Sequence, residues 1–405
     1  MSRRAAAVEI LVVGGGLVGA AAALAAARLG REVLWLRPES GLVEGRDPGA
    51  IALAPAACAL LAALGLGGAL AEETQPVARM EVWDEGGRIV FDAAELGLAE
   101  LARIAPPRRL HAALESAAGG AARVLAVTRL EPLAVESEER AIRLRLAGGE
   151  SIAASLLLAA DGAASPLRAL LGVATAGRDY GAEALTFPVA SERPHRATAL
   201  QRFLPGGPIA LLPRAGGLAQ VVWSLPKPTA RRLAESGEAA LAAAAGKALE
   251  DRLGALRPAG APVHFPLRLV LAERVAGPRF ALLGDAAHQL HPLAGQGANL
   301  GLLDVAWLAA ALARAARRGL DPGSPAALAP FARARLSEGW VMGLALDGLE
   351  RLFAAESPLW PALRRAGVAL CDRLPALKRW FARQASGWAA WPPEFPLPGG
   401  REGWS

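Results

Sequence analysis

The residues best equipped to do chemistry lie in one stretch, GDAAHQLHPLAGQGANLGLLD, running from Gly284 to Asp304. Gly284 and Asp285 follow an apolar strand (Arg279-Phe-Ala-Leu-Leu), and the Asp285 carboxylate can accept from a polyol hydroxyl. A loop through Pro292, Gly295 and Gly297 then leads into a long Ala/Leu-rich helix that starts near Asn299. A helix start offers N–H groups without intrahelical acceptors and the positive end of the backbone dipole. Carboxylate and helix start together suit a ligand with a sugar-like chain and an electron-rich ring. A flavin, whose reduced ring carries negative charge along one edge, has that chemistry. His288 and His291 are spaced to share a helical face, but no third ligand accompanies them, so no metal is expected. Hydrogen bonding, structural or beside the flavin, is the reading for both. His195, in Arg193-Pro-His-Arg196, reads as a loop residue at a domain junction, and no catalytic base is assigned.

A second constellation opens the chain. The apolar strand Val8–Val13 is followed by Gly14-x-Gly16-x-x-Gly19, an Ala-rich helix over Leu17–Leu29 closed by Gly30, and a strand over Val33–Leu36. This βαβ order is the dinucleotide-binding fingerprint: one glycine for the tight turn, one for close approach to a pyrophosphate, one for helix–strand packing. The fingerprint also expects an acid at the end of the second strand, to bind the adenosine ribose. Arg37 stands there instead. Glu39, two residues on, is the candidate substitute, while Arg37 would alternatively suit a 2′-phosphate. A third strand, Leu156–Ala160, ends in Asp161-Gly162, and Ser165, Pro166 and Arg168 open a helix behind it. Asp161 either accepts near the pyrophosphate or caps that helix; both readings stay open.

The elements that must position these residues divide by character. Glu81–Phe91 and Ala184–Pro226 alternate and carry turn dipeptides (Gly86-Gly87, Gly206-Gly207, Gly216-Gly217), which predicts one antiparallel sheet, split in sequence, covering the flavin. Residues 229–257 predict one or two amphipathic helices on it. With 405 residues, a single small core is excluded. The net charge of +6 is spread thinly, with no run of five basic residues and one Tyr, so nucleic acid is not an expected partner. Mild attraction to anionic lipid fits better. Cys58 and Cys371 lack metal-ligand spacing and sit in apolar helical patterns, as free thiols in a reducing compartment would. The uncharged run Ile10–Ala27 contains four glycines and breaks into strand, turn and helix, which argues against a signal peptide or a membrane span.

The three motifs in order, GxGxxG, Asp161-Gly162 and Gly284-Asp285, resemble those of the class A flavoprotein aromatic hydroxylases. The 284–304 stretch is similar, more finely, to the signature of the ubiquinone-biosynthesis hydroxylases of the UbiH/UbiF type. So are Asp179-Tyr-Gly, Glu192-Arg-Pro-His-Arg, Gln201-Arg-Phe-Leu-Pro, Val222-Trp-Ser-Leu-Pro and Phe265-Pro-Leu. The resemblance covers about residues 8–350. It implies an α/β fold: a Rossmann-like FAD-binding domain of the p-hydroxybenzoate-hydroxylase type, an inserted antiparallel-sheet substrate domain and a C-terminal helical region. The expected division is 1–75, 101–182 and 265–340 for the FAD domain, 76–100 and 183–264 for the substrate domain, and 341–405 for the C-terminal helices and Pro/Trp-rich tail.

The implied activity is an FAD monooxygenase that takes NAD(P)H as co-substrate and forms a flavin C4a-hydroperoxide from O2. That species would hydroxylate a polyprenyl phenol in ubiquinone biosynthesis. Carried over, Gly14, Gly16, Gly19, Glu39, Arg108, Asp161, Gly284 and Asp285 bind the cofactor. Pro292, Gly295, Gln296, Gly297, Ala298 and Asn299 surround the ring, where backbone N–H groups stabilise negative charge on reduced flavin. The chain departs from the family at Arg37, at Gly49 (usually Arg) and at Pro106-Pro107 before Arg108; His111 stands where Gln is common. These departures give a second reading, a non-catalytic or weakly FAD-binding paralogue acting as a scaffold in a quinone-biosynthesis complex. A reductase is a third. A halogenase fits poorly without a WxWxIP-type segment.

After residue 339 come Trp340, Trp360, Trp380, Trp388, Trp391 and Trp404, with Arg and Lys beside apolar residues in Leu349–Phe353 and Leu374–Phe381. This tail reads either as helices packing on the FAD domain or as an interfacial surface for a prenylated substrate or partner enzymes. A cytoplasmic protein with peripheral contact at the inner face of the membrane is the corresponding expectation.

Overall fold

The computed structural model describes residues 6–39, 49–127, 130–290, 295–354 and 374–396. The chain starts with β1 (Ala6–Val13), α1 (Leu17–Arg28) and β2 (Val33–Pro38). α1 is built from small residues, and Gly19 to Ala26 are all buried. That lets it lie between the sheet and two further helices, α2 (Pro107–Ala121) and the long helix after Gly295. β3 (Ser151–Ala159) pairs parallel with β1, from Ala6↔Ile152 to Val13↔Ala159. The strand Phe280–Leu282 pairs parallel with β3 on its other side.

The spatial order among the described residues is Ala276–Gly277, Phe280–Leu282, β3, β1, β2, Arg123–Val127. Because the inner strands are parallel, Gly14, Arg37, Asp161 and Gly284 all emerge at one edge of this sheet. Ligands of open α/β sheets bind at that carboxyl edge.

The second sheet has nine strands among the described residues. Its centre is β4 (Thr175–Ser191), paired antiparallel with β5 (Leu218–Pro226) on one side and with β6 (Val263–Ala272) on the other. The hairpin Arg79–Trp83/Arg88–Asp92 joins through Thr198–Arg202, and that joint is parallel (Thr198↔Arg79), a departure from the all-antiparallel expectation. The paired residues Arg79 and Thr198 are 119 positions apart in the chain rather than joined by a tight turn, so the connection imposes no direction. β4 and β6 run through residues 182/183 and 264/265, so the expected domain junctions fall inside continuous strands.

One face of this sheet buries Leu185, Phe187, Val189, Val221 and Trp223 under two helices, Lys227–Glu235 and Glu238–Ala248. The other face turns away from these helices, and there Ala199 and Leu212 pack with Ala50, Ala52 and Ile104.

α3 (Gln296–Arg317) and α4 (Pro325–Ala354) complete the core, and α5 (Pro375–Ala385) lies beyond. Two stretches, Pro55–Glu73 and Gln296–Arg317, are apolar and long enough to cross a bilayer, but 61% and 72% of their apolar windows are buried in the protein interior. The tail after α5 packs down: Trp391 is buried, the Trp307 indole donates to Ala390 O at 2.7 Å, and Arg317 pairs with Glu394. Burial pushes the Cys58 thiol up to about 12, with the charge of Glu100 adding to it, so this cysteine is inert. Cys371, Trp360 and Trp404 lie outside the described residues.

Candidate functional site

At the first sheet's carboxyl edge, Gly14 has φ +134°, and a side chain there would run into the Ala160 carbonyl. A side chain at Gly19 would strike the Gly14 carbonyl, whereas Gly16 faces open space. The loop carbonyls, which would repel a phosphate, are occupied: Trp35 Nε1 donates to Gly14 O at 2.9 Å, and His111 Nε2 bonds Gly15 O at 2.6 Å. α1 starts at Gly16 with no side-chain cap and no acid in its first turn. Its N–H groups are open to an anion.

The other two strand ends are tied to each other. Both Asp161 oxygens serve the short helix behind them, accepting from Ser165 Oγ at 2.6 Å and Leu167 N at 3.0 Å. The geometry is that of the capping alternative. Burial raises the Asp161 pKa, opposed by these bonds. Arg168 then links this loop to the next, donating to Ala163 O and Ala286 O at 2.9 Å each. Its bridging role had no sequence signal beyond a basic residue in a helix start.

Asp285 differs. Its side chain reaches solvent, and no protein group donates to its carboxylate among the described residues. Surrounding protein mass raises its pKa; His288 opposes that shift and the Asp304 charge adds to it. An accessible carboxylate to which no described residue donates is suited to a polyol.

Close by, Asp304 is fully buried and saturated. It accepts from Gly284 N and His288 Nε2 at 2.8 Å each and from Arg335 Nε at 2.7 Å. Burial alone would raise its pKa, but the charges of His288 and Arg335 hold it below the ordinary carboxylate range. Arg335, 1% exposed, also donates to Leu300 O, so α4 clamps α3 and the Gly-Asp turn together. His288 therefore has the structural role. It also sits in a two-residue strand on β6 (Leu271↔His288), which welds the loop to the second sheet.

α3 begins at Gly295 in the left-handed region (φ +61°), with no side-chain cap and no acid in its first turn. Gln296, Gly297 and Ala298 are half-buried, and their N–H groups lack intrahelical acceptors. Asn299 is buried and fully spent on fastening: it accepts from Ala54 N at 2.7 Å and donates to Ala52 O and Gly295 O at 2.8 and 3.0 Å. Its side chain thus fixes the helix start against Ile51–Leu53, a strand of a separate three-stranded sheet, rather than facing a ring. His291 and Pro292 lie outside the described residues.

At the adenosine end, Arg37 closes an ion pair with Glu115 of α2 at 2.6 Å and lies over the Trp35 ring. Glu39 is exposed just past β2, its N–H bonded to Val127 O. Arg108 is half-buried in the first turn of α2. Gly49 is buried with φ +94°, and a side chain there would press on Gln220 and Thr186. Those two form a buried polar row with Arg214: Arg214 donates to Gln220 at 2.9 Å, and Gln220 donates to Thr186 at 2.7 Å. The row was not foreseen, since Gln and Thr in an alternating strand look like solvent-facing residues.

The open glycine loop, the exposed Asp285 and the α3 start without a side-chain cap are groups that could hold FAD. Among the described residues no three His, Cys, Asp or Glu cluster as a metal site would require.

Comparison with known proteins agrees with this reading. The FAD binding domain family matches residues 7–330. The ubiquinone hydroxylase UbiL of Rhodospirillum rubrum is 36% identical over 395 residues, covering 96% of this chain and 91% of that protein. The 3-demethoxyubiquinol 3-hydroxylase of Escherichia coli is 33% identical, covering 94% and 98%. Among solved structures, p-nitrophenol 4-monooxygenase PnpA from Pseudomonas putida superposes with a TM-score of 0.78 over 94% of this chain and 98% of its own, at 19% identity, which speaks to fold. The chain belongs to the FAD binding domain family and, within it, to the class A FAD-dependent aromatic hydroxylases of the ubiquinone-biosynthesis type.

Proposed function

We propose that the protein hydroxylates the aromatic ring of a polyprenyl-phenol intermediate of ubiquinone biosynthesis. One oxygen atom of O2 enters a ring C–H bond and the other leaves as water, with two electrons from NAD(P)H. Bound FAD supplies the redox chemistry and the activation of O2. The chain's contribution is position and field. Asp285 takes the ribityl hydroxyls, and the N–H groups of Gln296, Gly297 and Ala298 stabilise negative charge at the ring edge. The sheet face carrying Ala199 and Leu212 packs on Ala52, the neighbour of Gly295 at the α3 start, and would help keep water from the ring. The observation that carries the reading is an exposed Asp285, to which no described residue donates, on the same strand–loop–helix segment as an α3 start without a side-chain cap. The similarity to two ubiquinone-pathway hydroxylases supports the substrate class.

A lipid-soluble substrate must be drawn from a membrane, and one surface suits that task. On α5, Trp380 and Phe381 are 53% and 42% exposed and stack edge to face, beside exposed Arg379 and Arg383. Aromatic and basic residues together favour the interface of an anionic bilayer, which supports a cytoplasmic protein bound peripherally.

The test is to incubate purified protein with NAD(P)H, O2 and a prenylated phenol carried in anionic or neutral vesicles, and to follow the product by mass spectrometry. A gain of one oxygen, faster from anionic vesicles, is expected. Yellow protein that forms no hydroxylated phenol would sink the substrate reading, and protein that stays colourless with excess FAD would favour the scaffold.

A further inference from the structure

The dinucleotide fold places an acid at the end of its second strand because the adenosine ribose hydroxyls need an acceptor there. This chain has Arg37 at that point, yet a carboxylate is present in space. Glu115, from the middle of α2, meets the Arg37 guanidinium through Oε1 at 2.6 Å. Its other oxygen lies 3.8 Å from His111 Nδ1, beyond hydrogen-bonding reach, and no described residue donates to it. The Glu115 side chain is 31% exposed, against 18% for Arg37, so the acid is the more accessible half of the pair.

Two contacts fix this carboxylate relative to the glycine loop. His111, one turn before Glu115 on α2, bonds Gly15 O at 2.6 Å. Arg37 packs over Trp35, whose indole holds Gly14 O. Helix, strand end and loop therefore form one rigid unit around the place where the adenosine half of a dinucleotide would leave the pyrophosphate. Glu39, the nearer acid in sequence, instead lies past the strand on exposed chain.

We propose that Glu115, delivered from α2 and aimed by Arg37, is the acceptor for the adenosine ribose hydroxyls of FAD. The strand-end acid has been moved to a neighbouring helix, and the arginine that displaced it has become its anchor. The inference rests on the FAD binding of the family and is independent of which phenol is hydroxylated.

The experiment is a titration of the apoprotein with FAD and, separately, with FMN, which lacks the adenosine half, read by flavin fluorescence. Glu115→Gln should weaken FAD about tenfold to a hundredfold, the range of a charge-assisted hydrogen bond, and leave FMN affinity unchanged. The exchanged variant R37E/E115R, which returns an acid to the strand end and keeps the pair, should bind FAD within about threefold of the parent, since the same two charges are retained at the same spot. Circular dichroism melts establish that each variant is folded. Undiminished FAD affinity in Glu115→Gln, or an equal loss for FMN, would overturn the proposal.

Discussion

The two ends of the cofactor site are built by opposite strategies. At the proposed ring end, Asp285, the α3 start and Asp304 come from one contiguous stretch, fastened by polar groups withdrawn from water: Asp304, His288 and Arg335 are each about 1% exposed. At the adenosine end, Trp35, Arg37, His111 and Glu115 come from two separate elements, and the ion pair there is partly solvated. A buried pair leaves a bare charge when one partner is removed, which costs far more than the pair's own net contribution. A solvated pair can be lost or exchanged at little cost to stability. The ring end therefore tolerates almost no drift, whereas the adenosine end can be rewired as long as a carboxylate still arrives.

The largest expected effect breaks the ring-end clamp. Arg335→Met should cost about 3–5 kcal/mol in urea unfolding, because Asp304 is left charged and buried; Arg37→Met should cost no more than about 1 kcal/mol. Similar losses for the two would erase the contrast. The sign with pH follows from Asp304. Its folded pKa lies below the unfolded value, so its contribution is complete above about pH 4 and disappears as pH falls through the depressed value. The gap between parent and Arg335→Met should accordingly narrow under acid.

Next in size is Asn299→Ala. It leaves the buried Ala54 N–H without its acceptor and removes two donated bonds, a loss of about 2–3 kcal/mol. Because these bonds set the α3 start, the visible spectrum of bound flavin should shift as well. An unshifted spectrum beside the full stability loss would confine Asn299 to folding.

How much of this was legible in the sequence follows the same division. The βαβ unit and the 284–304 motif could be read because each function sits within a few residues of its neighbours, and glycine spacing reports backbone geometry directly. Asp304 lay inside the motif, but its role did not show: an acid in an apolar helix signals a buried partner without naming Arg335, 31 residues away. The Arg37–Glu115 ion pair was invisible for the same reason, since sequence order places Glu39 near and Glu115 far. The parallel joint of Thr198–Arg202 with Arg79–Trp83 was likewise hidden, because alternation reports the face of a strand and not its direction.

The smallest effect on stability, and the one that separates the two carboxylates of the ring end, is expected at Asp285. Its folded pKa is raised, so the ionised form is disfavoured by folding at every pH above its ordinary range. Replacing it with Asn removes that cost, and the free protein should unfold at a slightly higher urea concentration at pH 7, with the gain vanishing below about pH 4. FAD affinity should fall by about tenfold or more, because an amide is a weaker acceptor for a hydroxyl than a carboxylate. An acid that no described residue donates to, held at a small cost to the fold, is a candidate ligand group. If Asp285→Asn were instead destabilising in the absence of flavin, the acid would be a structural member like Asp304, and the ring end would have no group left free to take the ribityl chain.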